Sequence, residues 1–293
     1  SSTRPEMAAA VRRTGAHAAG APPAVAATAV VEDPASLGPG TTVAHGAYVA
    51  AGAVLGEGVA VGPNVVVEAG VRVGAGTRLL PGTVLRRGVE LGRRCVVGPY
   101  AVLGGEPMDT SFAGEDSRVV VEDEVEVREF VTVHRATGEG AVTRVGAGAL
   151  LMSYAHVSHN CDVGAGAVIT TCVQLGGHAQ VGERANLGSG SLLHQFCRVG
   201  PYAMFGAASA ANQDVLPFAM ARGNPARHYR LNAVGLMRAG FAGERYRRLE
   251  EVMRALRRRD VPALEALAEA SEDARLVLDF VRTSRRGWAR FVT

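Results

Sequence analysis

From Leu37 to Leu103 an apolar residue falls at every sixth position: Leu37, Val43, Val49, Leu55, Val61, Val67, Val73, Leu79, Leu85, Leu91, Val97 and Leu103. The pattern resumes at Val145 and runs through Leu151, Val157, Val163, Ile169, Leu175, Val181, Leu187, Leu193 and Val199 to Phe205. A helix repeats every 3.6 residues and a half-buried strand every two, so neither produces this spacing. A period of six is that of a hexapeptide-repeat β-helix. Three hexads make one turn of a three-sided coil, so equivalent positions three hexads apart stack at about the 4.8 Å strand spacing.

Two polar, turn-rich excursions interrupt the repeat, Gly104 to Arg118 and Ala136 to Arg144. Loops on a rigid scaffold are where binding groups gather. The period vanishes after Asn212-Gln213-Asp214, and Pro217 reads as the end of the solenoid. Beyond it the spacing becomes helical: Leu231 to Phe241, Glu244 to Arg259, a helix opened by Pro262, and Glu272 to Arg285. This arginine-rich, amphipathic stretch is expected to cap the open end of the coil and cover its edge strands. The expected organisation is a disordered extension over 1–22, a repeat domain over 23–216 and a helical domain over 217–293.

Composition narrows the picture. The chain has 293 residues, 47% hydrophobic and 20% charged, and its net charge of +3 gives no argument for nucleic acid. No lysine occurs, which removes Schiff-base, lysine-base and P-loop chemistry. Most of the 37 glycines fall one or three residues after the repeat's apolar position, at tight corners. The four cysteines, Cys95, Cys161, Cys172 and Cys197, form no C-x-x-C pair and read as small buried fillers of a reduced, cytoplasmic protein. No stretch is apolar enough to span a membrane, and the first residues lack a signal-peptide core.

Four of the eight histidines fall between 156 and 194. Hexads starting at Val157, Leu175 and Leu193 share one face of three successive coils. His159, His178 and His194 therefore line one edge, within about 10–15 Å, with His156 at the preceding corner. A lone surface histidine is usually inert; three on adjacent coils, flanked by two polar loops, make a site. Two chemistries remain open to it. A neutral imidazole near pH 7 can act as general base, and three imidazoles can bind zinc, as in hexapeptide-repeat carbonic anhydrases. Those anhydrases lack an arginine-rich helical cap.

Longer motifs carry a resemblance. Leu151-Met-Ser-Tyr-Ala-His-Val-Ser-His-Asn-Cys161, Leu175-Gly-Gly-His178, Leu193-His-Gln-Phe-Cys197, Gly223-Asn224 and Asn232-Ala-Val-Gly-Leu-Met-Arg-Ala-Gly-Phe241 resemble the acyl-[acyl carrier protein]–UDP-N-acetylglucosamine O-acyltransferases from about residue 23 onward. The resemblance implies a mainly β fold: a left-handed parallel β-helix with a C-terminal α-helical cap. It also implies a homotrimer with active sites between neighbouring prisms. It makes His159 the general base that deprotonates the sugar 3-hydroxyl, and the Gly177 N–H the oxyanion donor. Asn160 stands where the family often has an acid that orients the ring. His156, His178, His194 and Gln195 match positions around the sugar and nucleotide, and Asp109 matches a carboxylate that holds the amino-sugar. Asn232 and Arg238 match groups near the nucleotide and its phosphates. Ala207 matches the residue that limits acyl depth, which implies a medium chain. No cofactor and no metal are implied. The expected partners are an acyl carrier protein, docked on the arginine-rich cap, and a nucleotide-sugar. The chain departs from the family pattern at Met108, Ser111, Val234 and Ala239. These departures leave open a different nucleotide sugar or amine as acceptor, and a non-catalytic solenoid is the reading from another class.

Overall fold

In the computed structural model, residues 21–32 and 36–292 are described; the expected extension over 1–22 lies almost wholly outside them. The chain coils as a parallel β-solenoid whose three faces are sheets of 12, 10 and 8 strands. Most strands are only two residues long and end on a buried apolar side chain, as in Thr42–Val43, Ala60–Val61 and Arg78–Leu79. That residue is the first of each hexad. The fifth also points inward: Val59, Val65, Val71, Cys95, Cys161 and Cys197 are all buried. Two inward side chains per hexad fill one continuous core of Val, Leu, Ile and Ala. Cys172 departs from the expected filler role, being exposed at a corner with φ 59°.

Register follows the hexad ruler. Val61 lies opposite Leu79, and Val157, Leu175 and Leu193 stack in consecutive strands. The apolar hexad position also continues between the two runs, at Val121, Val127 and Val133, all buried. The excursions change only the coil length. Leu103 pairs with Val133 and Val133 with Val157, so each of these coils is longer than the three hexads of an uninterrupted turn. Both excursions leave the coil at the same corner, between the second and third sheets. The first follows Val102–Gly105 and precedes Arg118–Val121; the second follows Thr132–His134 and precedes Val142–Val145.

The β-structure runs past the boundary expected at 216. Ala219–Arg222 adds to the first sheet, and Arg227–Leu231 turns back on it antiparallel. Pro217 therefore marks the end of the hexapeptide rhythm, not of the sheet, and Leu231 belongs to a strand rather than a helix. Four helices follow, α1 (Ala233–Arg238), α2 (Gly243–Arg258), α3 (Val261–Ala270) and α4 (Glu272–Arg282). Asn232, Asp260 and Ser271 accept backbone N–H groups as N-caps of α1, α3 and α4, each satisfying a donor with no partner inside its helix. Leu216, Phe218, Phe241, Leu249, Val252 and Leu278 form a second core beneath them. Asp214, 1% exposed, locks this cap to the coil: it accepts from Arg198 N–H at 2.8 Å, Arg198 Nε at 2.9 Å and the Ser284 hydroxyl at 2.8 Å. No helix among the described residues is long and apolar enough to cross a membrane.

Candidate active site

One coil beyond the second excursion, the same corner carries His159, between His156–Val157 of the second sheet and Asp162–Val163 of the third. Its imidazole side chain is 12% exposed. Nδ1 lies 2.9 Å from Asn160 Oδ1. The orientation of that amide is fixed by the second excursion: Oδ1 accepts from Thr137 N–H at 2.9 Å, while Nδ2 donates to Thr137 O at 3.0 Å. With an oxygen facing it, Nδ1 carries the proton and Nε2 keeps its lone pair. Asn160 holds φ 57°, a conformation that asparagine tolerates better than most residues.

Nε2 points at the next coil. A Cβ on Gly177 would stand 2.5 Å from it, so only glycine leaves the ring its place. Gly177 is third in its hexad, and this position has a recurring habit along the solenoid. The equivalent N–H groups of Ala51, Arg87, Arg93 and Ala147 each donate to a carboxylate from a neighbouring coil, at 2.7–3.0 Å. Among the described residues nothing accepts from the Gly177 N–H. The corner thus presents a backbone donor that elsewhere binds anionic oxygen, beside an unprotonated imidazole nitrogen.

The first excursion brings Asp109 back to this corner. Its Oδ1 accepts from Ser111 N–H at 3.0 Å and the Ser111 hydroxyl at 2.9 Å, and its Oδ2 lies 3.9 Å from His159 Nδ1. The two Ser111 donors, with a smaller contribution from His159, hold its carboxyl below the usual carboxylate range. His178 meets His159 edge-on at 5.3 Å, and its other face stacks on Phe196 at 4.5 Å. Burial lowers the His178 pKa, and His159 lowers it further.

The expected row of three imidazoles is therefore two imidazoles and a phenyl ring. His178 and Phe196 occupy the fourth hexad position of consecutive coils, whereas His194 is second in its hexad and turns onto the second sheet. There, exposed His194 and half-buried His156 line a groove of about 500 Å³ with Met108, Ser158, Leu175 and Ala210. His156 is hydrogen-bonded to Thr132 Oγ1 (2.7 Å) and Ser158 Oγ (3.0 Å), and burial pushes its pKa down to about 4. Gln195 is exposed at the same corner, beneath Gly176. Within one chain, three expected residues stand elsewhere. Ala207 is exposed at the corner between the first and second sheets. Asn232 caps α1 and donates to Tyr202 O at 2.9 Å, at the corner between the third and first sheets. Arg238 is exposed in the last turn of α1.

Sequence reasoning missed His134 and Thr137. The His134 ring lies 4.9 Å from His156, and its buried Nδ1 has no partner among the described residues. The lengthened coil hid it, because a three-hexad ruler does not stack Val133 on Val157. No group of His, Cys, Asp and Glu among the described residues is arranged to hold a metal ion.

A hexapeptide-repeat transferase is the class that this solenoid and its histidine corner define. The family model for bacterial transferase hexapeptide repeats matches residues 52–87 and 70–105, and that for "Udp N-acetylglucosamine O-acyltransferase; Domain 2" matches 214–289. An acyl-[acyl-carrier-protein]–UDP-N-acetylglucosamine O-acyltransferase of Synechocystis is 37% identical over 176 residues, 60% of this chain and 64% of that protein. That of Burkholderia thailandensis is 35% identical over 205 residues, 66% of this chain and 78% of that protein. The crystal structure of a UDP-N-acetylglucosamine acyltransferase from Bacteroides fragilis superposes with a TM-score of 0.81 at 30% identity, covering 85% of this chain and all of that one. The chain belongs to the acyl-[acyl-carrier-protein]–UDP-N-acetylglucosamine O-acyltransferase family.

Proposed function

We propose that the protein transfers an acyl group from acyl carrier protein to the 3-hydroxyl of UDP-N-acetylglucosamine, the first step of lipid A biosynthesis. The observation that carries this reading is the His159–Gly177 pair: an imidazole whose tautomer is fixed by Asn160, with Nε2 against Gly177, whose backbone N–H has no acceptor among the described residues and is free to take an oxyanion. The relatives' names supply the substrates.

In this mechanism Nε2 accepts the hydroxyl proton as the sugar oxygen attacks the thioester carbonyl. Negative charge gathers on the carbonyl oxygen, where the Gly177 N–H donates to it. Collapse breaks the carbon–sulfur bond, and the carrier thiolate takes the proton back from His159. His178, set between His159 and Phe196, confines the ring. His156, held neutral by burial, serves as a hydrogen-bonding wall of the groove rather than as a base. Asn232, Arg238 and Ala207 join such a site only from a neighbouring copy, which fits a homotrimer with active sites in its clefts. The arginine-rich face of α2 suits an acidic carrier protein, and cytoplasmic substrates suit a cytoplasmic enzyme.

A second reading keeps the reaction and changes the acceptor. Met108, 71% exposed, stands at the groove, Val234 is 55% exposed beside the α1 cap, and the Ser111 hydroxyl is spent on Asp109. These are apolar or occupied where the family pattern is polar and free. Incubation of the purified protein with acyl carrier protein thioester and a panel of amino-sugar nucleotides tests both readings. O-acylated UDP-N-acetylglucosamine supports the first; turnover of another amino-sugar or amine alone supports the second.

A further inference from the structure

The hydrogen bond that orients His159 carries no charge. Asn160 fixes the tautomer through Oδ1, but an amide does little for the imidazolium that forms when Nε2 takes a proton. A base of this kind works best with an anion behind it. The other ionisable groups near the ring are imidazoles, His178 at 5.3 Å with His134 and His156 behind, and none of them supplies a negative charge. The carboxylate facing Nδ1 comes from the first excursion, not from the coil.

We propose that Asp109 is a positioning residue for the base, the counter-charge of the His159 imidazolium, divided in sequence from the neutral Asn160 that sets the tautomer. Its geometry is specific. Ser111 takes both of its donors to Oδ1, which leaves Oδ2 turned toward Nδ1 at 3.9 Å. That separation is too long for a hydrogen bond and short enough for strong attraction in a cleft partly shielded from water. The loop thereby supplies to the coil what Asn160 lacks. Orientation and charge, commonly joined in one carboxylate, come here from two chain segments that meet only in the folded corner. The inference rests on the proposed acyl transfer for its kinetic consequence, but not for its electrostatic one.

Asp109→Asn keeps an Oδ1 for Ser111 and removes the charge. It is expected to lower kcat about 10- to 100-fold, with a smaller change in KM, the scale for a carboxylate at this separation in a partly hydrated cleft. The His159 titration, followed by NMR of the imidazole in substrate-free protein, is expected to move to lower pH. Adding Asn160→Asp to this variant restores the charge beside Nδ1 and is expected to recover most of kcat and return the titration upward. An unchanged His159 titration in Asp109→Asn, or a loss confined to KM that Asn160→Asp does not repair, overturns the proposal and leaves Asp109 as a substrate-binding group. If the wild-type protein transfers no acyl group at all, the functional reading fails while the titration still decides the pairing.

Discussion

Gly177 and His159 touch across adjacent coils so closely that a methyl group on Gly177 would stand 2.5 Å from Nε2. Gly177→Ala is therefore expected to push the imidazole away from its reactive position and to crowd the oxyanion donor. Removing one such donor or misaligning a base costs about 10²–10³ in kcat. Gly177 is buried, but the nearest atoms a Cβ would meet all belong to the His159 ring, so the strain stays local and the melting temperature should fall only modestly. Parallel kinetics and thermal melts check this; near-normal turnover contradicts the assigned contact.

Asn160 controls the ring from the other side. Asn160→Gly suits the left-handed backbone at φ 57° and removes both the acceptor for Nδ1 and the two bonds to Thr137. The imidazole becomes free to turn and to exchange tautomers. Turnover should fall about 10-fold or more with the coil intact, and circular dichroism with kinetics separates the two effects. Wild-type kcat in a folded Asn160→Gly protein contradicts the orienting role.

The cap and coil share a buried ion pair, which makes Asp214 the sensitive half. Asp214→Ala strands Arg198, whose side chain is 17% exposed, and frees Ser284. Leaving such a charge uncompensated typically costs about 3–5 kcal/mol. Chemical denaturation should report a loss of that size, read from the midpoint at constant slope.

Two histidines held neutral by burial set the acid limit of stability. The Leu216 N–H donates to His228 Nε2 at 2.9 Å, so Nδ1 carries the proton and bonds Ala289 O at 2.7 Å. Burial lowers the pKa of this ring to about 4, and that of His156 likewise. Both values lie below the ordinary 6.5, so between pH 6.5 and 4 the unfolded chain binds more protons than the folded one. Stability from these groups is complete above pH 6.5 and falls as pH drops toward 4, by up to about 3 kcal/mol for His228 and less for half-buried His156. Denaturation midpoints between neutral and mildly acidic pH check the slope, and His228→Asn should flatten it. A flat wild-type profile contradicts the burial of neutral rings.

Much of the scaffold is legible because the hexad is a local rule. Val157, Leu175 and Leu193 can be stacked by counting, and the count correctly brings His159 and His178 to one edge. What counting misses is non-local. His134 sits above His156 only because an excursion lengthens one coil beyond three hexads. The antiparallel return of Arg227–Leu231 follows no hexad. His194 shares a coil face with the site but, at the second hexad position, turns away from the corner that His178 and Phe196 occupy. The approach of Asp109 to His159 depends on how an inserted loop folds back, held by Ser111, and no periodicity carries that information.

Steady-state turnover of His159→Ala with an acyl carrier protein thioester and UDP-N-acetylglucosamine tests the central role most directly. With His159 as the base, kcat should fall about 10²–10⁴-fold while the melting temperature stays near that of the wild type. Turnover within a few-fold of wild type would mean that the acceptor hydroxyl loses its proton elsewhere.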